Sequence, residues 1–147
     1  MAGNKTIKTV LIGKEIYRED FEAFTYQTSG TKVNSCENSI LDVTSTDENP
    51  FIIMEQMVSF QPKEYRYIEI KYKTTDNKLL EIYTIKEPKD DTYCMTSNEL
   101  ITDGNWHTVV LDLWSNENIK NQQEITGWRL DWGDNQIGVS MQIDYIK

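Results

Sequence analysis

Arginine, carboxylate and flat aromatic rings crowd together in Trp128-Arg129-Leu130-Asp131-Trp132. At strand spacing, alternate members of that run share a side. Tyr67 and Glu69, Tyr83 and Gln142 repeat the theme elsewhere. Rings beside planar hydrogen-bonding groups suit a ligand with an apolar face and a rim of hydroxyls. Catalytic constellations are harder to assemble. His107 is the single histidine, so a multi-histidine zinc site or an HExxH helix cannot be built. A Ser-His-Asp arrangement would have to use His107, and no GxSxG elbow accompanies it. No GxxxxGK[ST] loop or GxGxxG turn follows any strand, which leaves nucleotide binding without a motif. Paired carboxylates remain, as glycosidases use at separations of about 5–9.5 Å. With 24 Asp+Glu in the chain, some pair meets that distance by chance.

The elements that must position these residues show a hydrophobic period of two from end to end. Residues 67–73 alternate Ile68, Ile70 and Tyr72 against Tyr67, Glu69, Lys71 and Lys73. Turn chemistry at 74–78 and the apolar run 79–85 then predict a hairpin. Asp103-Gly104 introduces a strand from Trp106 with Val109, Leu111 and Leu113 on one face, so that Trp114 points away from the core if the strand reaches it. Residues 115–123 read as a polar loop. Strands follow at 125–132 and 139–146, and residues 38–44 and 51–60 are earlier candidates. Many short strands without interleaved helices predict an all-β fold, an antiparallel two-sheet sandwich or a barrel.

Composition narrows the partners. Hydrophobic residues make up 38% of the 147 and charged residues 27%, as a folded domain requires, and no apolar run approaches the roughly 18 residues of a membrane span. A net charge of -9 repels phosphate backbones and anionic lipid, so neither nucleic acid nor membrane is expected as a partner. One domain over 1–147 is expected, with its core over about 14–147. Val10-Leu11-Ile12 is too brief for a signal-peptide core of about 7–15 residues, so any export signal is expected outside this segment. Cys36 and Cys94 could form one bridge or remain two thiols.

The order of the pieces carries a further signal. Asn49-Pro50-Phe51-Ile52 is followed by Tyr65-Arg66-Tyr67-Ile68-Glu69-Ile70-Lys71-Tyr72-Lys73 and Ile82-Tyr83. Then come Thr102-Asp103-Gly104-Asn105-Trp106-His107-Thr108, Gly127-Trp128-Arg129-Leu130-Asp131 and Ile143-Asp144-Tyr145-Ile146. From about Asp20 to Lys147 the series resembles the jelly-roll carbohydrate-binding modules appended to secreted bacterial polysaccharide-degrading enzymes. It departs from their pattern at Asn49, where an aspartate is expected, and at Trp132, where proline often follows the RxD strand. The resemblance implies a non-catalytic jelly roll whose concave sheet face holds a glycan. It also implies an extracellular, monomeric module covalently linked to catalytic or surface-protein domains. An acid at the position of Asp144 in such folds often helps hold a structural calcium, with Asp20 and Glu22 as the matching acids near the first strand. Calcium takes six to eight oxygen ligands.

On residue physics, Ile68, Ile70, Ile82, Leu130, Ile143 and Tyr145 are expected in the core. Tyr67, Glu69, Tyr83, Arg129, Asp131 and Gln142 then face outward. Arg129, Asp131 and Glu69 either contact ligand or form a surface ion-pair ladder. Trp114 and Trp132, next to loops at strand ends, are expected to bind, because exposed rings there need a partner. Trp128 shares parity with Leu130 and so belongs in the core, unless Gly127 makes a bulge that turns it to the ligand. Trp106 is expected to pack, and Tyr93 to close over a groove or cover an edge. Two other functions stay open: a protein-adhesion domain, and a small jelly-roll glycosidase or lyase using Glu69, Glu81 and Asp131.

Overall fold

The computed structural model describes residues 15–55, 59–84 and 90–147. Ten strands are defined there: β1 (Gln27–Ser29), β2 (Thr31–Glu37), β3 (Ile40–Ser45), β4 (Phe51–Met54), β5 (Tyr67–Thr74), β6 (Glu81–Tyr83), β7 (Cys94–Thr96), β8 (Trp106–Asp112), β9 (Trp128–Asp131) and β10 (Ser140–Ile146). They form two five-stranded sheets, ordered β1-β4-β9-β6-β7 (sheet I) and β2-β3-β10-β5-β8 (sheet II). Every strand pairing within them is antiparallel. The fold is the all-β sandwich expected from the period-two pattern. Ile52, Met54, Ile82, Met95, Trp128 and Leu130 of sheet I meet Leu41, Val43, Ile68, Ile70, Tyr72, Leu111, Met141 and Ile143 of sheet II in one core. Each fully buried aliphatic side chain there contributes about 1.5–3 kcal/mol, so a one-residue register slip, which would expose a whole face, is strongly opposed.

The expected hairpin between 67–73 and 79–85 does not form. β5 lies in sheet II and β6 in sheet I, so the intervening segment crosses from one sheet to the other. Side chains direct that crossing. Thr74 Oγ1 donates to the Ser140 carbonyl at 2.8 Å and accepts from the Asn77 amide at 2.9 Å. Asn77 is thereby turned into the interior, where its Oδ1 accepts from the Gly133 amide at 2.7 Å. Asp134 closes the other side by accepting from the amides of Lys78 (2.6 Å) and Leu79 (3.1 Å). Gly133 is required on two counts: its φ is +84°, and a Cβ would lie 2.6 Å from Pro50 Cγ.

Other expectations are corrected by local geometry. Tyr145 faces outward, because the β5–β10 register shifts between Ile143 and Tyr145 and passes the core position to Ile146. Its hydroxyl donates to Glu69 Oε1 at 2.7 Å. β8 stops at Asp112, whose carboxylate caps a 3-10 turn over Leu113–Ser115, so Trp114 is not a strand residue. The polar stretch after it holds a short helix, α1 (Glu117–Lys120), capped by Asn116 and anchored by buried Ile119. Trp106 points off the outer face of sheet II rather than into the core. Cys36 and Cys94 are unpaired thiols on different sheets. No helix among the described residues is long and apolar enough to cross a membrane.

Two stability measurements check this account. Asn77→Ala leaves the Gly133 amide without its acceptor, and a loss of about 1–3 kcal/mol is expected in urea denaturation. Burial and the bond to Glu69 push the Tyr145 hydroxyl up to about 12. Burial likewise raises Tyr17, Tyr26, Tyr72 and Tyr83. A raised pKa favours the protonated fold, so this stability is complete below the unfolded tyrosine value of about 10 and is lost as pH climbs. The thermal midpoint should fall above about pH 10, and Tyr145→Phe should flatten the decline between about pH 10 and 12.

Candidate functional site

β9 is the middle strand of sheet I, and its four side chains divide cleanly. Trp128 and Leu130 enter the core, while Arg129 and Asp131 stand on the outer face. Register then fixes their neighbours. Asp131 lies opposite Phe51 on β4 and Glu81 on β6, and Arg129 lies opposite Ile53 and Tyr83. Although they face away from the core, Arg129 and Asp131 are only 3% and 5% exposed, and Tyr83 is 2% exposed.

Burial of that kind demands pairing. Arg129 Nε and Nη2 donate to Asp131 Oδ1 and Oδ2 at 2.6 and 2.9 Å, a two-pronged bond that holds both groups flat. The Phe51 ring stacks on the guanidinium with its centroid 3.6 Å from Cζ, and the Tyr83 ring lies at 5.8 Å. The Tyr83 hydroxyl is within 3.3 Å of both Glu81 Oε2 and Asp91 Oδ1. Burial first, and hydrogen bonding with Cys94 second, hold that hydroxyl protonated far above the ordinary tyrosine range. Burial also raises the Cys94 thiol. The result is a row of ring, guanidinium and ring edged by two carboxylates.

At the end of the row the surface opens into a shallow hollow of about 70 Å³, lined by Asn49, Leu79, Glu81, Asp131, Trp132, Asp134 and Asn135. Pockets that enclose a small ligand run to roughly 300–1,000 Å³, so this one is too small to engulf a ligand and has room only for the rim of one. A carboxylate oxygen keeps further lone pairs after bonding Arg, so Asp131 and Glu81 can accept from hydroxyls there.

The residues singled out from sequence separate onto different parts of the sandwich. Tyr83, Arg129 and Asp131 come together on sheet I. Tyr67, Glu69 and Gln142 also face outward, but from sheet II on the opposite side. Tyr67 is 42% exposed beneath the Arg66 guanidinium, and Gln142 donates to Asp42 Oδ2 at 2.8 Å. Trp128 is in the core with its Nε1 toward Met54 Sδ, so no bulge at Gly127 turns it outward. Trp132 is buried, against the exposed strand-end ring expected; its Nε1 donates to Thr31 Oγ1 and an edge of the residue reaches the hollow. Trp114 leans on the core, donates to the Pro62 carbonyl, and lies between Arg66 and Lys120. Tyr93 packs against the core from the turn Asp91–Tyr93. The sequence does not single out Phe51, or Glu81 as a residue of this face, although the parity of Phe51 with Ile53 signals its outward side.

Asp144, Asp20 and Glu22, the acids that the resemblance implies for a structural calcium, are not gathered into one cluster among the described residues. Asp144 pairs with Lys71 at 2.8 Å, Asp20 with Arg18 at 2.7 Å, and Glu22 is exposed. Among the described residues no three His, Cys, Asp or Glu side chains gather to hold a metal.

No protein-family model matches the sequence, and no curated protein matches it either. Solved structures do match the fold. A family 29 carbohydrate-binding module from Piromyces equi, CBM29_1, superposes with a TM-score of 0.54 at 13% identity, over 83% of this chain and 76% of its own. A lysine-to-alanine variant of CBM29-2, complexed with cellulohexaose, gives 0.57 at 11% identity over 89% and 86%. BiXyn10A CBM1 gives 0.56 at 9% identity over 92% and 97%. The chain shares the β-sandwich fold of these modules. CBM29-2 has also been solved with an arginine replaced, and separately with an aspartate two positions later replaced, in probing how it recognises ligand.

Within this fold, Arg129→Ala strands a buried carboxylate, and a loss of about 3–5 kcal/mol is expected in urea denaturation. Replacing both members, Arg129→Met with Asp131→Leu, should recover most of it; a double-variant loss equal to the sum of the Arg129→Met and Asp131→Leu losses would show that the pair is not coupled.

Proposed function

We propose that this chain is a non-catalytic carbohydrate-binding module that holds a polysaccharide on the outer face of sheet I. The observation that carries the reading is the row of Phe51, Arg129 and Tyr83 bordered by Asp131 and Glu81, on a fold shared with such modules. Its chemistry matches a sugar chain: the half-buried Phe51 ring can meet a C–H face, and fixed carboxylates accept hydrogen bonds from hydroxyls. Arg129 holds Asp131 flat, so the acceptor geometry is set before ligand arrives. The arginine and aspartate probed in CBM29-2 are spaced as Arg129 and Asp131 are here, which supports the same pair as recognition residues.

Its role is to concentrate a covalently linked enzyme or surface domain at its substrate, outside the cell, with no bond broken by this module. A few stacking contacts of about 0.5–1.5 kcal/mol, set against lost chain freedom, give dissociation constants of roughly millimolar to micromolar. Attachment of several modules to one polymer strengthens that.

Native affinity electrophoresis through gels containing neutral β-glucans, mannans or xylans tests the proposal. Retardation by one of them is expected, weakened by Glu81→Gln, which keeps the side chain's shape, and by Arg129→Lys, which keeps the charge and loses the planar fork. Migration unaffected by any polymer, or retardation unchanged in both variants, would overturn it.

A further inference from the structure

Four tryptophans are present, and three of them are accounted for by packing: Trp128 and Trp132 in the core and Trp114 against it. Trp106 takes no part in that core. It opens β8, an edge strand of sheet II, and stands on the outer face directly opposite Lys73. Lys71, on the same face of β5, is the next cation along. Both ammoniums lie over the indole at 5.6 Å from its centroid. That is near the outer limit of about 6 Å for such contacts, so the ring holds them loosely and they stay hydrated.

Charge makes the spot an exception. The chain carries -9, yet here two cations flank an aromatic platform. Lys71 is shared with Asp144 at 2.8 Å, whereas Lys73 makes no ion pair among the described residues. Thr108 is exposed beside Lys71 in the register, and Gln142 lies on the other side of Lys73. Ring, ammoniums, hydroxyl and amide therefore line one strip, on the side of the sandwich away from Arg129.

We propose that this strip is a second binding site, for a polysaccharide containing uronic acid. An acidic pyranose laid on Trp106 places its carboxylate at the ring's edge, where Lys73 and Lys71 can reach it. A neutral sugar in the same place would cover the ammoniums and return no charge, so the site discriminates against it. Asp144, Asp42 and Glu69 stand on the same outer face, but each is held there by Lys71, Gln142 or Tyr145, which leaves the Lys73 ammonium as the charge open to a carboxylate.

Affinity electrophoresis through polygalacturonate and alginate, beside a neutral polymer that retards the protein and a polyglutamate gel, tests the proposal. Retardation by at least one polyuronate is expected, together with none by polyglutamate, and with loss at about 1 M salt, where the screening length is about 3 Å. Lys73→Gln and Trp106→Ala should each abolish retardation by the uronate. Both should keep the wild-type thermal midpoint within a few degrees and leave retardation by the neutral polymer unchanged, so failure of this site is distinct from failure of the site on sheet I. Three results would overturn the proposal: no retardation by either polyuronate, equal retardation by polyglutamate, or uronate retardation that survives Lys73→Gln and disappears in Arg129→Lys.

Discussion

A guanidinium and a carboxylate two residues apart on a central strand cannot be taken out of water one at a time. Arg129 and Asp131 are buried together because each satisfies the other, and much of sheet I is arranged around that condition. The strand's opposite face is filled by Trp128 and Leu130, so β9 is covered on both sides. Phe51 and Tyr83, contributed by the two strands that flank it, supply rings against the guanidinium where other side chains would leave it exposed to solvent or unpaired. The pair is thus both a demand of the fold and the feature that gives its outer face directional acceptors.

The second organising feature joins the two sheets. Asn77, Gly133 and Asp134 bind the crossover after β5 to the turn after β9, and each supplies what the other segment lacks. Because β6 begins directly beyond that crossover, the same bonds set where Glu81 and Tyr83 stand relative to Asp131. The hollow beside Trp132 is the gap that this junction leaves. Site geometry and sandwich closure therefore rest on one buried amide.

The sequence shows the fold class because alternation survives intact in β5, β8 and most of β10. It fails where geometry interrupts the count. The register shift after Ile143 places two consecutive side chains outside, so Tyr145 reads as core by parity and is not. A second shift, between Val33 and Ser35, spoils the alternation of β2, and β1 and β7 are three residues each, too short to show a period. Parity also tells which side of its own sheet a residue takes and says nothing of which sheet that is. Tyr67 and Gln142 therefore grouped with Arg129 in the reading although they lie across the sandwich. For the tryptophans, proximity to loops was a poor guide: Trp132 follows a strand but is drawn inward by the turn at Gly133, while Trp106, expected to pack, stands outside.

The bridge between Glu19 and Ile146 pairs the segment entering the domain with the strand leaving it. In an antiparallel pair the two flanks beyond such a bridge run off in the same direction. Tension between neighbours joined on either side would therefore meet these hydrogen bonds in succession, opening them like a zipper instead of shearing a whole strand at once. Beyond this seam the pull would pass to β1, an edge strand of sheet I, and to β10, the central strand of sheet II.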